Sequence, residues 1–234
     1  MIHPTAIIDT AAVLGDNVKV GPYCVIGPGV VLGDNVVLKS HVVVRGPSAI
    51  GNRVQIYQFA TVGEDTPALA FEGEDSVLEV GEGTIIREGV TIHRGMAKRG
   101  IQKTIIGSNC LLMAYVHVGH DCIVGDNVIM ANNASLSGHV EVGDFANFGG
   151  YSGIPQFRKV GAYTHIAGMS LVTKDVPAYM TVAGNPASAV GLNVEGMKRR
   201  GISSEGRLAL KQAHKLVYRS GLRVAEAIAQ MHEL

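Results

Sequence analysis

Three of the nine histidines, His117, His120 and His139, fall close together in the chain, and Asp121 directly follows the middle one. An imidazole with one nitrogen held by a carboxylate is a general base: the carboxylate fixes the tautomer and raises basicity, leaving the other nitrogen to take a proton. Such a base needs a donor nearby to hold the oxyanion that develops, and a glycine backbone N–H serves that purpose. Gly138 is a candidate, provided the chain folds so that residues 120 and 138 meet. The bland alternative is a set of solvated turn histidines. Cys24, Cys110 and Cys122 are an odd set at no metal-ligand spacing, which favours buried thiols over a disulfide framework or a metal site.

The elements that must position these residues are legible in a sixfold beat. An aliphatic residue returns at every sixth position from Ile2, Ile8 and Leu14 to Val62, again at Val80, Ile86 and Ile92, and from Ile106 to Val172. Gly often follows it (Gly21, Gly33, Gly107, Gly125), where a turn with positive φ is expected, and the fifth position is small or β-branched (Ala6, Val18, Val42, Ala134). A helix would repeat near 3.6 and a strand near 2, so the period predicts neither. It predicts a mainly β fold, a parallel β-helix in which three hexads make one coil and residue n lies under residue n+18, about 4.8 Å away. On that spacing the Gly138 N–H lies one strand above His120, with Gln156 and Lys174 continuing the column. A second column, Ala114, Asn132, Gly150 and Gly168, is small at most levels and outlines a groove for an extended chain.

The beat fails twice, over Glu64–Ser76 with Glu64, Asp65, Glu72, Glu74 and Asp75, and over Arg94–Lys103 with Arg94, Lys98, Arg99 and Lys103. Loops of opposite sign suit docking on a neighbouring subunit; the alternative is two solvated charged loops. Residues 1–185 are expected to form the β-helix, with inserted loops at about 64–78 and 94–104, and residues 186–234 a small C-terminal α-helical domain. Pro177 and Pro186 should close the coil stack. Ser203 or Ser204 can cap a helix through Leu208, Leu210, Ala213, Leu216 and Val217 that stops at Gly221, followed by a helix from about Val224 to Glu233. Lys+Arg 20 against Asp+Glu 20 argues against nucleic acid as a partner. No signal peptide or membrane-spanning apolar run is apparent, so a soluble, cytoplasmic protein is expected.

Several stretches together resemble a known family. They are Ser40-His41-Val42-Val43-Val44, Ile56-Tyr57-Gln58-Phe59-Ala60, Val90-Thr91-Ile92-His93-Arg94-Gly95, Val118-Gly119-His120-Asp121-Cys122, Ala131-Asn132-Asn133-Ala134 and Asn193-Val194-Glu195-Gly196-Met197-Lys198-Arg199-Arg200-Gly201. Over nearly the whole chain they resemble the acyl-ACP:UDP-N-acetylglucosamine O-acyltransferases, which open lipid A biosynthesis. The resemblance implies a left-handed coil and a homotrimer with active sites between subunits, acyl carrier protein as donor, a UDP-sugar acceptor and no cofactor or metal. It implies that His120 deprotonates the sugar 3-hydroxyl, Asp121 supports it and Gly138 N–H stabilises the tetrahedral intermediate. His117, His139 and Gln156 would contact acceptor or donor, while Asn193, Glu195, Arg199 and Arg200 would hold the nucleotide. Gly168 matches a position that helps set acyl length, where Gly admits a longer chain.

The chain departs from the family in three places. Ala68-Leu69-Ala70-Phe71 stands before Gly73-Glu74 where the family has Asp-Leu-Lys-Tyr, Pro155-Gln156 replaces His-Gln, and the helical tail is shorter. A same-fold acyltransferase with another acceptor, such as an amino sugar nucleotide, is therefore a second reading. A zinc enzyme resembling the γ-class carbonic anhydrases, with His117, His120 and His139 as ligands, is a third, and a non-catalytic trimeric scaffold a fourth.

Overall fold

A computed structural model describes residues 1–98 and 100–231. Arg99 of the second loop and Glu233 of the last expected helix lie outside the described residues. The chain visits three faces in rotation: Ile7–Ile8, Val13–Leu14 and Lys19–Val20 each open a sheet, and Val25–Ile26 returns to pair with Ile7–Ile8. The register Ile7↔Val25 and Ile8↔Ile26 is the expected step of eighteen residues. A first sheet of eight parallel strands ends at Gly153–Ile154 and a second of eight at Lys159–Val160. A third, of ten strands, ends at Ala187–Leu192.

Each hexad forms a strand because two of its residues have an interior to fill. Val18 with Val20, Cys24 with Ile26, Val30 with Leu32 and Val36 with Leu38 are all buried, and the residue between each pair faces outward. No single coil encloses a core, but stacking joins these pairs into one continuous cluster. The glycine after the aliphatic residue has a different role from the one expected. Positive φ occurs two residues later, at Tyr23, His41, Asp121 and His139 among others. The glycine is needed instead because coils touch there: a Cβ on Gly21 would stand 2.7 Å from the Lys39 carbonyl carbon, and one on Gly107 2.4 Å from the Gly125 carbonyl oxygen.

The two interruptions leave the coil and return in phase. Val62 pairs with Ile92 across the first loop, and Ile92 with Val118 across the second. Within one chain the two loops clasp each other. Lys98 pairs with Glu72, Arg94 with Asp65, and the Ala97 N–H donates to Glu74. Arg94 is a buried residue, which corrects its reading as a solvated loop charge.

Pro177 does not end the stack, whereas Pro186 follows the last parallel strand. Val176 bridges Val160, the strand Met180–Gly184 pairs in parallel with His165–Ile166, and Ala187–Leu192 then folds back antiparallel on Met180–Gly184. The expected division at 185/186 thus falls in a hairpin turn, and sheet pairing continues to Leu192. Among the described residues three helices follow: α1 (Val194–Arg199), which the sequence did not announce, α2 (Ser204–Arg219) and α3 (Val224–Met231). Ser203, one of the two expected caps, accepts from the Gly206 N–H, and Gly221 at φ +75° follows the end of α2. Among the described residues no helix is long and apolar enough to cross a membrane.

Candidate active site

His120 stands at the corner between the first and second sheets, immediately after the strand His117–Val118 and Gly119. It is 8% exposed, which removes the solvated-histidine reading for this ring. Nδ1 lies 2.7 Å from Asp121 Oδ2. A carboxylate only accepts, so Nδ1 carries the hydrogen, and in the neutral ring Nε2 has the lone pair.

Asp121 is seated by groups that no motif named. Its carboxylate accepts from the Ile101 N–H at 2.8 Å and the Met96 N–H at 3.1 Å, and its own N–H donates to Thr104 Oγ1 at 2.9 Å. A Cβ on Gly100 would stand 2.5 Å from both Asp121 oxygens, so the second loop can close over the carboxylate only with glycine there. The loop that breaks the beat is therefore the cradle of the aspartate.

Gly138 lies on His120, as the eighteen-residue step required. A Cβ on Gly138 would stand 2.5 Å from Nε2. Gly138 is buried, and its N–H makes no hydrogen bond among the described residues. Gly138 also lines the cavity beside His120, so this N–H is available to a bound group. His120 and Gly138 open into a cavity of about 230 Å³ that is also lined by Thr66, Pro67, Ala68, His117, Gly119, Ser137 and Gln156. Lys174, which the column extended to, does not line it.

The other expected residues distribute unevenly. His117 lines the cavity with Nδ1 2.8 Å from Thr91 Oγ1, whereas His139 presses edge-on against His120 at 4.8 Å and stacks on Phe157 at 4.5 Å. Asn193, Glu195, Arg199 and Arg200 gather elsewhere, in a cavity of about 410 Å³ against the third sheet, with Phe145, Asn147, Tyr163 and His165. Asn193 caps α1 by accepting from the Gly196 N–H, and it donates to the Tyr163 carbonyl. The Arg200 guanidinium lies 5.1 Å from the Phe145 ring, and hydrogen bonding to Lys198 lowers the Glu195 carboxyl below its ordinary value. Gly168 lies on Gly150 at the third corner, where a Cβ would be 3.3 Å from the Gly150 carbonyl oxygen. One chain thus presents the base, the arginines and the small corner on separate faces. The sequence missed Phe145 and Tyr163, although their eighteen-residue spacing beside the motif was a usable signal.

Two other chemistries lose their geometry. Cys122, next to Asp121, points inward and donates to the Ser137 carbonyl; burial pushes its thiol up to about 12, so it offers no thiolate. For zinc, the one group of such donor atoms within 4.8 Å among the described residues is His120, Asp121 and His139, without His117. The Asp121 oxygens in it already accept from Met96, Ile101 and His120.

Burial lowers the His117, His139 and His165 imidazoles below their ordinary value of 6.5; His93 adds to the effect at His117 and Arg199 at His165, while at His139 the Asp121 charge opposes it and His120 adds to it. In the unfolded chain these rings take protons near that value, so acid favours unfolding. Stability should be fully present above about pH 6.5 and fall as the pH drops toward the depressed folded values. The urea midpoint measured between pH 7 and 5 should decline, and less steeply in His165→Gln. A flat profile, or one that rises toward pH 5, contradicts this.

A triangular solenoid carrying a carboxylate-held histidine under a free backbone donor defines a hexapeptide-repeat transferase with a left-handed parallel β-helix. Residues 11–46 and 103–138 match the bacterial transferase hexapeptide model, and residues 175–234 match domain 2 of UDP-N-acetylglucosamine O-acyltransferase. Relatives named acyl-[acyl-carrier-protein]–UDP-N-acetylglucosamine O-acyltransferase occur in Saccharophagus degradans, 52% identical, and Azotobacter vinelandii, 53% identical. Each match covers 100% of this chain and 90% of the relative. The solved structure of LpxA from Acinetobacter baumannii is 49% identical and superposes with a TM-score of 0.95, over 99% of this chain and 89% of that one. The chain belongs to the acyl-[acyl-carrier-protein]–UDP-N-acetylglucosamine O-acyltransferase family.

Proposed function

We propose that the chain moves a 3-hydroxyacyl group from acyl carrier protein to the 3-hydroxyl of UDP-N-acetylglucosamine, the first step of lipid A biosynthesis, with His120 as general base. The observation that carries this is His120 Nε2, free of Asp121, beneath the unpaired Gly138 N–H in an open cavity. Nε2 takes the hydroxyl proton as the sugar oxygen attacks the thioester carbonyl. The Gly138 N–H meets the charge on the carbonyl oxygen. Collapse forms the ester and breaks the C–S bond, and the departing thiolate recovers the proton from His120. The thioester supplies the activation, so no cofactor enters the scheme.

His117 and Gln156 line the cavity and would contact the acceptor, with His139 bracing the base from behind. Asn193, Glu195, Arg199 and Arg200 suit the nucleotide, the arginines on its phosphates. Because they sit on a different face from His120, a complete site calls for a second copy, and we place it between subunits of a homotrimer. The bare corner at Gly150 and Gly168 suits the acyl chain, with Gly168 as the ruler that admits a longer one. The groove beside α2, lined by Arg207, Lys211, His214 and Arg219, offers positive charge to the carrier protein. With three free, buried cysteines the protein suits the reducing cytoplasm.

An amino sugar nucleotide as acceptor is a second reading, favoured by Ala68 in the cavity wall where the family resemblance places an aspartate. Mass spectrometry of products from acyl carrier proteins of several chain lengths, with UDP-N-acetylglucosamine or its 3-amino analogue, tests both. We expect an ester with the ordinary sugar. Product with the amino analogue alone replaces the acceptor, and no product with either overturns the assignment.

A further inference from the structure

Arg94 follows the strand Thr91–His93 and lies outside the cavity that holds His120. Its side chain is 11% exposed, and its hydrogen bonds go to residues other than the catalytic pair. Nη1 donates to the Gly46 carbonyl at 2.8 Å and the Gly63 carbonyl at 2.6 Å, and Nη2 donates to the Asp65 carboxylate. His93 grips the same residue from the other side: its Nδ1 lies 2.7 Å from the Asp65 carbonyl oxygen. Asp65 is thus held at both its side chain and its backbone.

The grip on Asp65 bears on the cavity through the three residues after it. Thr66, Pro67 and Ala68 are the first-loop wall, facing His117 and His120. A loop of this length has many conformations, and the wall would sample them without an anchor. A buried guanidinium is a costly anchor unless carbonyls and a carboxylate replace its water; three acceptors do so at Nη1 and Nη2, while Nε has no partner among the described residues. His93 also lies 5.4 Å, ring to ring, from His117, which lines the cavity. Beyond Arg94 the same segment supplies the Met96 and Ile101 N–H groups that seat Asp121.

We propose that His93 and Arg94 are positioning residues, a latch on Asp65 that sets the acceptor-facing wall Thr66–Ala68 and links it, by way of the Met96 and Ile101 amides, to the seat of the aspartate. This rests on the reading that the cavity receives the sugar. It makes acceptor affinity depend on a contact that touches no substrate.

Asp65→Asn removes the charge of the latch at a side chain that is 55% exposed, so the fold should survive. The Michaelis constant for UDP-N-acetylglucosamine should rise about tenfold, with kcat and the constant for acyl carrier protein changing less than about twofold. Amide hydrogen exchange at Thr66, Ala68 and Leu69 should quicken in the same variant. Arg94→Lys should retain more acceptor affinity than Arg94→Met. Unchanged exchange in Asp65→Asn overturns the latch, as does faster exchange with an unchanged acceptor constant or a proportional fall in every kinetic parameter. If the unsubstituted protein gives no product, the functional reading fails, and the exchange comparison still decides whether Asp65 holds the wall.

Discussion

Replacing His120 with alanine should lower turnover by about a thousandfold or more while leaving a folded β-helix. A positioned base is worth about 10²–10⁴ in rate, and removing this one also frees Asp121 from its partner. The structural cost is contained. Asp121 keeps the Ile101 and Met96 N–H groups, and His120 contributes to no strand, so the loss should be about 1–3 kcal/mol against a core that runs through every coil. Turnover of acyl carrier protein substrate with UDP-N-acetylglucosamine reads the first effect, circular dichroism and size-exclusion chromatography the second. Activity within tenfold of the unsubstituted protein would remove His120 as the base.

Gly138→Ala should be nearly as damaging although it adds a single methyl. The new Cβ would stand 2.5 Å from Nε2, 2.7 Å from Cε1 and 3.0 Å from Cδ2 of His120, so ring or backbone must move. The ring has little room to yield, since Asp121 holds Nδ1 and the His139 ring stands edge-on at 4.8 Å. Either movement misaligns Nε2 with the Gly138 N–H, and loss of an oxyanion donor alone is worth about 10²–10³ in rate. Overpacking should cost only about 1–3 kcal/mol of stability, so the kinetic defect should far exceed the thermal one. Full activity, or a loss that merely tracks unfolding, would show that Gly138 serves coil packing and not chemistry.

These two variants also mark how far the sequence could be read. The juxtaposition of His120 and Gly138 followed from spacing alone, because every coil in this part of the chain advances by the same eighteen residues. The reason for the glycines did not follow. Period shows where they recur, but only the approach of one coil to the next shows that Gly21 and Gly107 are excluding a Cβ. Helix α2 was legible from its cap and apolar spacing, while α1 was not, since six residues containing Gly196 carry too little helical pattern. The sign of the charges in the two loops was plain; that Arg94 buries itself on Asp65 and two carbonyls was not.

By itself, the sequence determined the solenoid, its register and the stacking of His120 under Gly138. A sixfold pattern is local and repeats the same backbone geometry at every step, so the fold is the sum of identical short-range decisions. Tertiary structure alone decided that the base is buried, that the second loop supplies the amides seating Asp121, and that base and arginines occupy separate faces. Those features come from hydrogen bonds and ion pairs between aperiodic segments far apart in the chain, where no local preference specifies the partner.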